Sequence, residues 1–165
     1  LSTRIIGLDP GLRKTGWGVI DYELNRLSHV AHGVINVPQE ASLAKRLDKL
    51  FEGLWQVIEL YKPNQAAVEE TFVNTNPLTT LKLGMARGIV MLVPARFGIE
   101  VGEYAPNKVK KSLCGAGHAD KDQMMTMIKY LLPKSQNVTA DSADALAVAI
   151  CHGNHMQTNL KWRAA

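Results

Sequence analysis

The apolar residues change period once, near residue 40, and that change constrains the fold more than any other feature of the chain. Before it lie three short runs, 4–9, 15–22 and 27–36, separated by turn residues. Runs of this length read as strands, and their close spacing reads as an antiparallel meander. After it, Leu43, Leu47, Leu50, Leu54 and Ile58 recur at helical spacing, with Lys45, Lys49 and Glu52 off that line. This pattern predicts a helix over 41–61. "QAAVEE" at 65–70 is a short apolar run ending in acid and predicts a buried fourth strand. A helix over 77–93 opens on Pro77, a residue suited to the first helical position. "IEVGEY" predicts a fifth strand, and a short helix follows near 106–113. The next helix, about 120–132, starts at Asp120 with Gln123 three residues on, in the manner of a capping box. Met124, Met127, Ile128 and Leu131 form its apolar stripe, and a last helix is expected over about 140–153. Strands first and alternation afterwards imply an α/β fold, a mixed sheet with helices on its faces. At 165 residues the expectation is one domain, 1–165, with enough chain for a real core.

The composition, 46% apolar and 21% charged, is that of a soluble globular protein. A net charge of +4 suits an anionic partner such as nucleic acid, though many basic proteins have none. Cys114 and Cys151 are too few for a disulfide framework and read as reduced residues of a cytoplasmic protein. "LSTRIIGLDP" lacks the length and cleavage site of a signal peptide. The longest apolar run, "GIVMLVPARFGI", is broken by Pro94 and Arg96, so no membrane span is expected.

Three places set acid where a fold can gather it. Asp9 ends the first strand, Glu69 and Glu70 end the fourth, and "TADSADALAVAIC" opens the last helix with Asp141 and Asp144. Two residues three apart on a helix share a face. If strands one and four are neighbours, Asp9 and one glutamate meet at a sheet rim, where α/β folds bind ligands. The last helix, packed across that rim, would add its two aspartates. Four carboxylates so close repel unless cations sit among them or their pKa values rise. Hard oxygen ligands suit Mg²⁺ or Mn²⁺, and two such ions about 4 Å apart are an apparatus for phosphodiester hydrolysis. Each acid also has an ordinary explanation. Asp9 can serve its own Asp-Pro-Gly turn, Glu69 or Glu70 can be a solvated strand end, and Asp141 and Asp144 complement a helix dipole. The alanines around the last pair can signify close helix packing alone. The set as a whole favours a site. With the four acids set aside, the remaining residues carry +8 rather than +4, because 19 basic residues then face 11 acidic ones.

"IIGLDPGLRKTGWGVID", "AAVEETFVNTNPLTTLKLGMARG" and "ADSADALAVAICH" together resemble RuvC, the family of bacterial Holliday junction resolvases. The resemblance covers nearly the whole chain. It implies an RNase H-like fold, with three antiparallel strands followed by parallel ones in a five-stranded sheet. It also implies a homodimer that nicks four-way junction DNA with two divalent metal ions per site, Mg²⁺ with Mn²⁺ as a substitute. By position, Asp9, Glu69, Asp141 and Asp144 match the family's metal-binding catalytic acids. The doublet Glu69-Glu70 stands where the family has one key glutamate; alignment through Phe72 favours Glu69, and strand alternation lets only one of the two face the site. Phe72 matches an aromatic used near the junction centre, and Lys110 and Lys121 match residues used on DNA. Lys121 also has independent support, as a cation in a helix's first turn is unfavourable unless an anion such as phosphate lies nearby; a surface pair with Asp120 or Asp122 would explain it as well. Lys108 and Lys111 are expected on the same basic flank, and Arg13 and Lys14 beside Asp9. Gly84 and Gly88, one turn apart, permit close helix approach within the monomer or, as the resemblance implies, across the dimer. The resemblance further implies partnership with the branch-migration proteins RuvA and RuvB. His152 and His155 lie two to three turns beyond the acids and read as structural.

Three other readings remain at this stage. "GLDPGLRKTGWG" also suits the phosphate-binding hairpin of actin- and hexokinase-type ATPases, which are usually two-domain proteins longer than this chain. An RNase H-like hydrolase of RNA hybrids would need the same acids. A non-catalytic DNA-binding module would account for the charge but not for converging carboxylates.

Overall fold

The computed structural model describes residues 2–70 and 75–163, with side chains in the last helix described as far as Met156. β1 (Thr3–Asp9), β2 (Lys14–Glu23) and β3 (Arg26–Asn36) form the meander. Leu24 and Asn25 turn β2 into β3 with φ of 46° and 67°, the left-handed pair that a two-residue hairpin needs. α1 (Leu43–Tyr61), β4 (Gln65–Glu69), α2 (Pro77–Arg96) and β5 (Val101–Tyr104) follow, then α3 (Pro106–Cys114), α4 (Lys121–Leu131) and α5 (Ala140–Arg163). The sheet order is β3-β2-β1-β4-β5. β1 is central, antiparallel to β2 and parallel to β4, and β4 is parallel to β5.

Two cores form, one on each face of this sheet. Alternation along β1 sends Ile6 and Leu8 to one side, where Leu50, Leu54 and Ile58 of α1 and Ala86, Val90 and Val93 of α2 cover them. Each fully buried Leu, Ile or Val among them contributes about 1.5–3 kcal/mol. On the other side α5 lies directly on the strands, among Ile5, Ile20, Ala67, Leu146 and Ile150.

Two helices outrun their expected ends. α2 continues through Pro94 to Arg96. A proline removes one N–H and one bond, and in a final turn that cost is small. α5 runs past Gly153 to Arg163. Gly153 is there for space rather than for termination: a Cβ on it would stand 2.5 Å from Cδ2 of Tyr22.

Candidate active site

The site begins with register. Leu8 of β1 pairs with Val68 of β4, so the next residues, Asp9 and Glu69, leave the sheet side by side. Gly7, two before Asp9, faces α5, and Ala67, two before Glu69, belongs to the core under α5. Alternation therefore turns Asp9 and Glu69 toward α5 and Glu70 away from it.

Glycines bring the helix down onto this edge. Gly16 is the register partner of Asp9. A Cβ on it would lie 2.1 Å from the backbone oxygen of Asp141. A Cβ on Gly7 would lie 2.0 Å from the oxygen of Ala145, and one on Gly18 would lie 2.6 Å from Leu146 Cδ2. Only bare backbone admits a helix so close. The alanines of α5 do pack closely, and that packing is what delivers Asp141 and Asp144 to the rim. Thr139 and Ser142 fix the helix start: Ser142 N donates to Thr139 Oγ1 (3.3 Å) and Thr139 N donates to Ser142 Oγ (3.0 Å).

The structure thus brings together all four acids that the sequence singled out, each half-buried. Burial raises the Asp9 pKa to about 8, helped by the charges of Glu69, Asp144 and Asp141 and by a hydrogen bond shared with Glu69. Glu69 is raised by burial and by Asp144, against the pull of its bond to Asp9 and of Lys110. Asp144 is raised by burial, opposed by Lys121, then pushed further by Asp141 and drawn back by Lys110. Such a cluster holds either protons or cations. Among the described residues, no three His, Cys, Asp or Glu side chains are already drawn in around a common metal position. The donors at the rim are nonetheless all carboxylate oxygens, which fit a hard divalent cation and not a soft one.

Beside the acids opens a cleft of about 200 Å³ lined by Glu69, Asp144, Lys110, Lys121, Pro106, Val109, Met124 and Ala147. Lys110 reaches it from α3 and Lys121 from the first turn of α4. Asp120 caps α4, with its side chain accepting from Gln123 N at 2.8 Å. A cation at that helix start is offset by Asp144 across the cleft, a partner that sequence spacing does not reveal. Arg13 and Lys14 are exposed in the turn after Asp9. Lys111 is exposed on α3, while Lys108 is placed elsewhere, with Nζ 5.3 Å from the Tyr104 ring centroid. Phe72 lies outside the described residues. Gly84 and Gly88 are exposed on α2, with open space where a Cβ would stand. They mediate no packing among the described residues.

A family model described as crossover junction endodeoxyribonuclease RuvC matches residues 5–152. The chain belongs to the RuvC family. The RuvC of Paramagnetospirillum magneticum is 59% identical over 158 residues, 96% of this chain and 95% of that one. The RuvC of Bradyrhizobium diazoefficiens is 58% identical over 155 residues, 94% of this chain and 89% of that one. Among solved structures, Thermus thermophilus RuvC in complex with Holliday junction substrate superposes with a TM-score of 0.88 at 26% identity, covering 95% of this chain and 96% of that one. The expected RNase H-like architecture, a mixed five-stranded sheet flanked by helices, is the one found.

What sequence reasoning missed at this RuvC site is its seating. The signals were present as glycines alternating through β2 and alanines through α5. Their meaning depends on which strand lies under which helix.

Proposed function

We propose that this chain is a structure-selective endonuclease that resolves four-way DNA junctions by two symmetric phosphodiester hydrolyses. The observation that supports it most directly is the convergence of Asp9, Glu69, Asp141 and Asp144 beside the cleft holding Lys110 and Lys121. The relative solved with a Holliday junction supports the choice of substrate. Divalent metal belongs to the family's nuclease activity; Asp9, Glu69, Asp141 and Asp144 would hold two Mg²⁺, or Mn²⁺ in their place. The chemistry such ions supply is activation of water and stabilisation of the leaving oxygen. The chain's own residues do the rest. The carboxylates, fixed by β1, β4 and α5, orient the cation ligands with little motion. Lys121 and Lys110 hold the backbone and oppose negative charge developing on the phosphate. Water's oxygen adds to phosphorus and the bond to the 3′ oxygen breaks, leaving a 5′ phosphate and a ligatable nick. Recognition rests on phosphate contacts and junction shape, to which Arg13, Lys14, Lys111 and Phe72 are assigned. Lys108 is left on the outer flank.

Two cuts need two sites, and α2 offers the surface for a homodimer. Leu78, Leu81, Met85 and Leu92 are exposed on it in line with Gly84 and Gly88. Among the described residues, α2 is the one helix long and apolar enough to cross a membrane. Here its other face is buried against α1 and the sheet, and Arg87 pairs with Glu103. A second copy over the apolar stripe explains both its composition and its exposure. The enzyme works in the cytoplasm, with the branch-migration proteins RuvA and RuvB as partners implied by the family.

Cleavage of a synthetic four-way junction tests this reading, run beside duplex and RNA–DNA hybrid of matched sequence, in Mg²⁺ and in EDTA. Paired symmetric nicks on the junction alone, abolished by EDTA and by Asp9→Asn with binding retained, are expected. Cutting of the hybrid instead would make the chain an RNA-hybrid hydrolase. Binding with no cleavage in Mg²⁺ or Mn²⁺ would make it a binding module.

A further inference from the structure

The glycine seat sets how close α5 comes to the sheet and, through Gly16 under Asp141, Gly7 under Ala145 and Gly18 under Leu146, where its first turns lie. Directional contacts further along the helix add to that placement, and α5 has one at His152. Its ring is buried on β5 over Gly102, where a Cβ would stand 2.8 Å from Nδ1. Nε2 lies 3.1 Å from Oε1 of Gln65, which begins β4; in the tautomer with the proton on Nε2, it donates to that oxygen. Nδ1, 2.9 Å from the Tyr104 hydroxyl, accepts from it. Tyr104 ends β5 and is the register partner of Glu69. Its carbonyl also accepts from Glu70 N at 2.8 Å. One imidazole therefore ties α5 to both ends of the β4–β5 pair that carries Glu69. Asp144 lies on the same helix eight residues before His152, about 12 Å along a rigid rod.

We propose that the Gln65–His152–Tyr104 bridge is a positioning device that sets the spacing of Asp141 and Asp144 on α5 from Glu69 on β4. The inference rests on the reading of these acids as the catalytic site. Burial lowers the His152 pKa, opposed by Glu100 and helped by the neighbouring His155, which favours the neutral ring. The surroundings suit a fixed neutral ring. Tyr104 stacks on His155 at 5.3 Å, and Lys108 lies over the same phenol. Asn154 makes two other polar ties, Nδ2 donating to Ser112 Oγ on α3 at 3.1 Å and Oδ1 accepting from the Tyr22 hydroxyl on β2 at 3.4 Å, and neither reaches β4. The bridge acts through the acids and touches none of them.

Single-turnover junction cleavage at saturating protein, with Mg²⁺ varied and junction binding measured separately, tests this. Tyr104→Phe removes one hydroxyl and keeps the packing, so it isolates the bond from the fold. The expected result, per folded molecule, is a fall in rate of about tenfold, with more Mg²⁺ needed for half-maximal rate, junction affinity unchanged and a melting temperature lowered modestly by the unpaired Nδ1. His152→Gln keeps an acceptor and a donor and is expected to retain more activity than His152→Leu. Wild-type rate and Mg²⁺ dependence in both Tyr104→Phe and His152→Leu would overturn the proposal. So would a loss of rate that follows only the folded fraction. Wild-type cleavage by Asp9→Asn, run alongside, would instead overturn the site assignment itself.

Discussion

The two faces of the sheet are built on opposite rules. On the face of α1 and α2, bulky aliphatic side chains separate helix from strand: Ile6, Leu8 and Val19 meet Leu50, Leu54, Ile58, Val90 and Val93. On the face of α5 the separation is taken away, with Gly7, Gly16 and Gly18 under Asp141, Ala145, Leu146 and Ala149. A side-chain layer can lose a methyl group and relax partially around the gap. Backbone against backbone has no such slack. Both faces bury a core, but only the second also supplies the position of four carboxylates.

The sharpest way to break this comparison is to injure each face once and measure activity per folded molecule. Gly16→Ala places a methyl 2.1 Å from the oxygen of Asp141, so the helix start must lift. Cleavage is expected to fall about a hundredfold among molecules that remain folded, as displacement of a reacting group by about 1 Å can do. Leu54→Ala opens a cavity at a fully buried site on the other face. It is expected to cost about 2–5 kcal/mol of stability. At a temperature where it is folded, its junction cleavage should match that of the wild type. Equal activity losses per folded molecule in the two variants would mean that the two faces do not divide the work in this way.

A second contrast concerns charge. The folded-state pKa of Asp9 is raised from the usual carboxylate value to about 8. The folded protein therefore holds a proton that the unfolded chain has already lost. In EDTA its contribution to stability falls as pH rises between about 4 and 8. Glu69 and Asp144 are raised as well and act in the same direction. Asp9→Asn is expected to melt several degrees above the wild type at pH 9 without metal, and at nearly the same temperature at pH 3.5. Mg²⁺ should raise the wild-type melting temperature more at pH 8 than at pH 5, because cations compete with protons for the cluster. A wild-type melting curve in EDTA that is flat across this window would remove the electrostatic strain assigned to the site.

Most of this was legible in the sequence wherever period or spacing carries the information. The meander, the order of strands and helices, and the four acids were readable because each lies at the end of a strongly patterned segment. Asp120 with Gln123 announced its cap for the same reason. What the sequence hid was set by tertiary contact. Gly153 looks like a helix end and is a contact with Tyr22. Lys121 looks like an electrostatic error until Asp144 stands across the cleft. Lys108 and Lys110 are two residues apart on α3 and serve opposite sides of it. The Glu69-Glu70 doublet was narrowed by alternation, and only the position of α5 shows which of the two faces the other acids. The bond from His152 to Gln65 joins residues 87 apart, and no local pattern marks it.

The smallest expected effect tests whether the start of α5 is set by its cap or by its seat. Thr139 and Ser142 exchange backbone and side-chain bonds at the first turn, two residues before Asp141. Removing a cap of this kind by Thr139→Ala is expected to cost about 1 kcal/mol. If the glycines alone position the helix, the lost cap frays the first turn only transiently. Asp141 then returns to the same place, because Gly16 still admits its backbone. Cleavage should fall less than threefold, far short of the Gly16→Ala effect, and the loss should grow with temperature as fraying does. A loss as large as that of Gly16→Ala, already present at low temperature, would show that the cap rather than the close approach places Asp141. The division between the two faces would then rest on the loop before α5 and not on the sheet beneath it.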